Sequence, residues 1–340
     1  MNNSLLKQLL TEYDIKRSQA IEDAENRKTK LLEVNPKIAE IDKELSKISI
    51  EASRQIIQAS ETEREKVLAE LKKKTNNLIK EKNTIIKELF QATDYFEPAY
   101  ECKICKDTGF VQKAGKSEIC SCLKQKIYDI AYNKSNMGNL EFENFNTFNI
   151  RLFSDKENKE KYKSEISPRE NMNLLKEKAY QFIQNFDDPQ EKNLIFLGGT
   201  GLGKTFLTNC IASELLKEGK TVLYQTAPIM FDEIFDEKYG KSQNFTGLEK
   251  DILTTDLLII DDLGTEKISD NKIEELFNII NTRLLNQNHK ITKTIISTNL
   301  TAQELVGAYT MRIGSRLAGS YRFLRFFGED IRLKKGKKEI

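Results

Sequence analysis

Along the first ninety residues apolar positions return every three or four places. Leu5, Leu6, Leu9, Leu10 and Tyr13 share one face of a helix running towards Val34. Asn35-Pro36 reads as an N-cap with proline at the first helical position, so a second helix starts there. Ile38, Ile41, Leu45, Ile48 and Ala52 continue with the step of a coiled-coil seam. Ser60-Glu61-Thr62-Glu63 fits either a capping box or plain helix surface, and Val67, Leu71, Leu78, Ile85 and Leu89 then carry the pattern more loosely. Up to Ala92 the chain has no glycine and one proline, which is helical composition. One narrow stripe cannot bury itself, so residues 1–93 are expected to form a coiled-coil hairpin or a three-helix unit. Such a unit either binds a partner through its seam or acts as a spacer.

Between Asn133 and Pro189 the pattern weakens. Phe142, Phe145 and Phe148 read as anchors at the start of another domain, 154–163 as a polar loop, and 172–186 as a helix with Leu174, Leu175, Ala179 and Phe182 inward. The period then shortens. Apolar or β-branched runs at 194–197, 221–225, 257–260, 293–297 and 321–327 have strand length, and helical spacing fills the intervals at 206–217, 229–239, 270–285 and 311–317. This alternation predicts an α/β domain with a five-stranded parallel sheet.

The first of these strands leads into Gly198-Gly199-Thr200-Gly201-Leu202-Gly203-Lys204-Thr205, followed by Phe206. Glycines at these positions let backbone N–H groups wrap phosphate oxygens at a helix N-terminus, which adds positive potential. Lys204 is expected to reach the outer phosphates and the Thr205 hydroxyl to ligate Mg²⁺. The third strand ends in Asp261-Asp262. Asp261 is expected to hold Mg²⁺ through its water shell, and Asp262 to sit near the attacking water. Glu266, in the turn that follows, is a candidate cap for the next helix. Asn299, at the tip of the fourth strand, either polarises that water, reads the γ-phosphate, or is a turn residue. Arg316 is placed either to reach a neighbour's nucleotide or to make a surface ion pair.

Cys102-x-x-Cys105 and Cys120-x-Cys122 add a separate chemistry. Two such pairs supply four thiolates, the closed ligand set of a structural zinc, with a redox pair or an iron–sulfur cluster as alternatives. Asp107-Thr108-Gly109 provides a turn, and Phe110 and Ile119 flank a small ribbon. Cys210, alone on the helix after the phosphate loop, reads as a small buried residue. Charged residues make up 31% of the 340-residue chain yet nearly cancel to +2, so any basic surface is local. The tail Arg332-Leu333-Lys334-Lys335-Gly336-Lys337-Lys338 is either a phosphate contact or simply solvated. Tyr224, Phe231 and Tyr239 are either core or base-stacking residues. No apolar run reaches the roughly twenty residues that span a bilayer, and the start lacks the form of a signal peptide. The expected location is therefore cytoplasmic. His289, the single histidine, lies away from every motif.

Taken in order, the phosphate loop, Leu257-Leu258-Ile259-Ile260-Asp261-Asp262-Leu263-Gly264, Ser297-Thr298-Asn299, Ile313-Gly314-Ser315-Arg316-Leu317 and Gly328-Glu329-Asp330-Ile331-Arg332 resemble the AAA+ ATPases of the DnaC/IstB-like group. That group holds the bacterial replicative-helicase loaders and their transposon-helper relatives. Phe142-Glu143-Asn144-Phe145 resembles the group's entry into its ATPase domain, and the cysteine cluster resembles the zinc segment of loader-type members. The resemblance implies an AAA+ P-loop NTPase domain over 140–340, a zinc-binding segment over 98–128, and ATP, Mg²⁺ and Zn²⁺ as cofactors. It implies an ATP-dependent loader that grips the replicative helicase through 1–93, meets single-stranded DNA and self-associates through the ATPase domain. A transposition or phage helper ATPase and a nucleotide-switched scaffold with negligible turnover are the competing expectations. Asp262 stands where many AAA+ proteins have glutamate, which points to slow hydrolysis. A separate helical lid is not expected, which leaves Arg322 or Arg332 as a partial substitute for its arginine.

Overall fold

The computed structural model describes residues 3–58, 61–90, 96–113, 115–131, 142–240, 247–286 and 290–332. Ser60, His289 and the lysines of the tail lie outside them. Packing divides the chain into two compact units, one of residues 8–116 and one of 117–340 with the first seven residues.

In the first unit, α1 (Asn3–Val34), α2 (Pro36–Gln58) and α3 (Glu61–Phe90) follow one another with almost no connection. The turn at Asn35 falls where proline at the first helical position demands it. Leu9, Tyr13, Ala24 and Leu31 of α1, Ile38, Ile41 and Ala52 of α2, and Ile86 of α3 are buried. Leu31, Ile38 and Ile86 meet in one cluster with Leu32, Ile85 and Phe96, so the unit has three helices. Two residues separate α2 from α3, yet Ile38 reaches Ile86 and Lys82 donates to Asp42 at 2.5 Å, so this pair folds back antiparallel. Leu89, expected in the seam, is half exposed. A short ribbon of β1 (Phe110–Lys113) and β2 (Lys116–Ile119) follows.

The second unit contains a five-stranded sheet of β3 (Asn193–Leu197), β4 (Val222–Thr226), β5 (Leu257–Leu263), β6 (Lys293–Thr298) and β7 (Tyr321–Arg325), in the order β4-β5-β6-β3-β7. Every neighbouring pair is parallel. Side chains alternate across it with period two. Ile195, Leu197, Leu223, Leu258, Ile260 and Ile296 enter one core, with α4 (Ser121–Ala131), α8 (Ala227–Lys238), α9 (Leu248–Thr254), α10 (Asp270–Asn286) and α11 (Ala302–Ser320). Leu194, Phe196, Val222, Tyr224, Leu257, Ile259 and Ile295 enter the other, with α6 (Pro168–Gln184) and α7 (Lys204–Lys217). Helices on both faces explain why the strands read as continuous apolar runs.

Several elements depart from their expected form. The 154–163 stretch contains a four-residue helix, α5 (Lys159–Tyr162). Helix α6 starts before its apolar pattern because Ser167 and Glu170 form a capping box with Pro168 at N1, and Leu174 faces solvent at 49% exposure. Helix α11 begins nine residues before Met311 and is broken at Thr310, whose φ of 80° and ψ of 153° are not helical. Tyr224 and Phe231 are buried, and Tyr239 is exposed against Phe235, so the first two are core residues rather than base-stacking ones. No helix among the described residues is long and apolar enough to cross a membrane.

Two polar side chains close backbone edges. Gln125 on α4 accepts from the Val222 N–H at 2.7 Å and donates to the Val222 carbonyl at 2.9 Å, taking the place of a neighbouring strand on β4. Arg283, 1% exposed, donates to the carbonyls of Ile252, Thr255 and Lys293 and to the Thr294 hydroxyl. Arg283→Met strands these carbonyls at about 1–3 kcal/mol each. A loss of at least about 3 kcal/mol in urea unfolding is expected; a change under 1 kcal/mol would refute this role.

Candidate active site

Because all five strands run the same way, the segments that follow β3, β5 and β6 gather at one edge of the sheet, the usual place for a ligand in such folds. Residues 198–203 turn there from β3 into α7. Gly198 has φ +147°, and a Cβ would lie 2.4 Å from the Phe326 carbonyl oxygen; at Gly201, φ +69°, a Cβ would lie 2.0 Å from the Asp330 carboxylate. Glycine is required at Gly198 by backbone angle and by space, and at Gly201 by backbone angle. The Ile331 N–H donates to the Gly201 carbonyl at 2.9 Å, which pins the C-terminal segment to the loop.

A cavity of about 400 Å³ opens over this loop, lined by Thr200, Gly201, Leu202, Gly203, Lys204, Thr205 and Phe206, by Asp262, Thr265 and Asn299, and by Glu143, Ile331 and Arg332. Lys204 is 6% exposed and its ammonium donates to the carbonyls of Gly198 and Gly199 and to Asn299 Oδ1, the last two at 2.8 Å. Burial pulls its pKa down, opposed by the carboxylates of Asp262 and Asp261. Asn299 thus faces residues 198–206 and lines the cavity.

Asp261 is 4% exposed and held on both oxygens. Oδ1 accepts from the Ser297 hydroxyl and from the Asp262 N–H at 3.1 Å. Oδ2 accepts from the Tyr224 hydroxyl and from Thr205 Oγ1 at 3.3 Å. Between Ile260 and Leu263 two residues of β5 stand against one of β6, a β-bulge at which Asp262 takes φ 54° and turns to the cavity. Burial, then the charge of Asp261, raises the Asp262 carboxyl above its ordinary range, with Lys204 and Arg332 opposing. The hydroxyl of Thr205 beside the Asp261 carboxylate is a hard oxygen pair suited to Mg²⁺.

Other expected residues fall elsewhere. Arg316 is exposed on the second half of α11 and does not line the cavity. Arg322 pairs with Glu191 at 3.1 Å, beside the first residues of β3 and so at the opposite edge of the sheet; Arg332 is the one that lines the cavity. Glu266 accepts from the Gly264 N–H at 2.8 Å and from the Tyr309 hydroxyl, rather than capping α10. Phe145 stacks on Tyr180 and Phe148 packs edge-on against Phe206, whereas Phe142 is 71% exposed. Sequence reasoning missed Tyr224 and Ser297 as partners of Asp261. Ser297 had a signal, its place at the strand tip beside Asn299; Tyr224 had none beyond the phase of its strand.

Residues 156–335 match the family model of the IstB-like ATP binding protein. The chain belongs to that family. Escherichia coli K12 replicative helicase loader DnaC is 30% identical to this IstB-like protein over 173 residues, 51% of this chain and 67% of DnaC. The insertion-sequence ATP-binding protein y4pL of Sinorhizobium fredii is 26% identical over 155 residues, 43% of this chain and 59% of the relative. A crystal structure of the DnaC helicase loader covers 53% of this chain and 96% of its own at 24% identity, and its TM-score of 0.41 adds nothing to the fold seen directly.

The sulfurs of Cys102, Cys105, Cys120 and Cys122, none of which lines the cavity over residues 198–206, lie within 4.8 Å of one another. Tetrahedral zinc with Zn–S near 2.3 Å needs sulfurs roughly 3.8 Å apart, so the set fits that ion. The Asp107 carboxylate accepts from the N–H groups of Glu101 and Cys102 at 2.9 and 2.8 Å and fixes the first knuckle. Cys210 is fully buried, and burial pushes its thiol up to about 12.

Two outcomes follow for this IstB-like protein. In native protein, chelation is expected to release one zinc per chain and open four cysteines to iodoacetamide while Cys210 stays unlabelled; labelling of Cys210 first would refute this. Tyr224→Phe removes one of two hydroxyls on Asp261 Oδ2 and is expected to raise the Mg²⁺ needed for nucleotide binding about three- to tenfold, equivalent to about 1 kcal/mol. An unchanged Mg²⁺ titration would remove Tyr224 from the site.

Proposed function

We propose that this protein is an ATP-dependent loader of the replicative DNA helicase onto single-stranded DNA, with ATP binding and hydrolysis driving assembly and release. The observation that carries the reading is the convergence of Lys204, Thr205, Asp262 and Asn299 on one loop-lined cavity, with Asp261 bonded to Thr205, in a chain similar to DnaC. In this reading residues 198–206 cradle the phosphates, with Lys204 on the outer ones. Bound Mg²⁺ supplies charge neutralisation of the phosphates, and Thr205 and Asp261 hold it. Asp262 orients the attacking water and accepts its proton, while Asn299 aligns the water or the γ-phosphate.

Self-association through the ATPase domain lets Arg316 reach a neighbour's nucleotide, which its exposure outside its own cavity permits. An arginine supplied in trans is worth about 10³ to 10⁵ in rate, so an isolated subunit turns over slowly. We assign residues 1–93 to the helicase, 98–128 to a structural zinc, and 140–340 to the ATPase, in a cytoplasmic protein.

The test is capture of the cell's replicative helicase by the full chain with ATP and with ADP. Capture that changes with the nucleotide and is lost in Lys204→Ala is expected. No capture in either state would overturn the loader reading and favour a transposition helper, a role to which the likeness to y4pL lends support.

A further inference from the structure

The turn behind the acid pair is bonded into α11. The Asp262 carbonyl accepts from the Thr265 N–H at 3.2 Å and from Thr265 Oγ1 at 2.8 Å, and the Gly264 N–H donates to Glu266 Oε2 at 2.8 Å. The other oxygen of Glu266 accepts from the Tyr309 hydroxyl. Both side chains are buried, Glu266 at 6% and Tyr309 at 0% exposure, so the bond is shielded from water.

Tyr309 is the last residue before the break in α11. Thr310, β-branched and at φ 80°, holds a backbone angle that such residues rarely adopt. Beyond it, 311–320 form a second half-helix that buries Ile313 and Leu317 and exposes Arg312 and Arg316. The halves interlock: a Cβ at Gly314 would lie 2.7 Å from the Val306 side chain. A shift at Tyr309 is therefore passed to the arginine-bearing half rather than absorbed between them.

We propose that Tyr309, through Glu266, is a positioning residue that ties the turn after Asp262 to the half-helix 311–320 and so sets where Arg316 stands. The inference rests on the proposed role of Arg316 at a neighbour's nucleotide. The bond links what happens at one chain's acid pair to the arginine that the same chain offers to another. Thr310 sets the angle between the two halves: with Tyr309 held by its hydroxyl and Gly314 packed on Val306, the half-helix keeps one position and presents its arginine face outward.

The test uses mixed assemblies of full-length chains. A small share of wild type is mixed with an excess of donors carrying Asp262→Asn, which offer Arg316 but do not hydrolyse. The rate of the wild-type minority among donors with Asp262→Asn alone is the reference. Donors that also carry Tyr309→Phe, which keeps the ring in the core, are expected to lower kcat about ten- to a hundredfold with KM unchanged. The reverse mixture, Tyr309→Phe as the minority among Asp262→Asn donors, is expected to hydrolyse normally. Glu266→Gln, whose oxygen still accepts from the Gly264 N–H and whose amide N–H can donate to the Tyr309 hydroxyl, serves as the second variant and is expected to give a smaller donor defect. A rate loss only when Tyr309→Phe is the hydrolysing chain would overturn the link, because Tyr309 would then support its own site. Donors carrying Arg316→Ala separate the two ideas: a normal rate with them removes the arginine reading and the link together. A lost rate with Arg316→Ala donors but a normal one with Tyr309→Phe donors removes the link alone.

Discussion

The buried carboxylate of Asp261 is the constraint that the rest of the ATPase unit serves. A charge taken out of water costs several kcal/mol unless its oxygens are bonded. Here four groups from four elements do this: Tyr224 from β4, Ser297 from β6, Thr205 from α7 and the N–H of Asp262 on β5 itself. Each reaches the carboxylate only if the strands keep their register. Thr226 stands opposite Asp261, so the Tyr224 ring, two positions back on the same face, spans that step to deliver its hydroxyl. The core on both sides of the sheet supports a register that the acid fixes.

The same requirement explains the bulge. A regular β5 would send Asp261 and Asp262 to opposite faces of the sheet. The extra residue between Ile260 and Leu263 leaves Asp261 buried among hydroxyls and turns its neighbour into the cavity. The Ser297 hydroxyl secures both, bonding the carboxylate of one and accepting from the N–H of the other. Two adjacent aspartates thereby take different tasks, one beside Thr205 and the other facing the open volume.

What the sequence made legible was local. The phosphate loop, the double-acid strand and Asn299 carry their chemistry in residue type and spacing, and the strand runs are apolar because both faces are covered. The three helices of the first unit were legible through Pro36 and the seam. The remaining features depend on contacts between distant segments. Tyr224 looked like one more core aromatic because nothing in its strand reveals that its hydroxyl meets Asp261. Arg322 and Arg332 looked equivalent until strand direction placed one at the far edge and the other over the loop. The break at Thr310 had no sequence signal, since threonine is not a residue that usually marks positive φ. Leu174 was misplaced because it stands one position off the stripe of Met172, Leu175, Ala179, Phe182 and Ile183 that the core covers.

Charge at the cavity bears on how such a site completes itself. Lys204 and Arg332 stand against Asp261, Asp262 and Glu143, so the protein's own groups there carry one net negative charge. A tetraanionic nucleotide with one divalent ion leaves a net negative charge in a partly buried space, where electrostatic interactions are stronger than in water. In a loose, metaphosphate-like transition state, negative charge builds on the leaving diphosphate oxygens. In the proposed reading the missing positive charge comes from outside the subunit, and an arginine held out on a half-helix beyond the core is the form such a donor takes. In that reading a site balanced without it would have no reason to wait for assembly, and a site short of positive charge would.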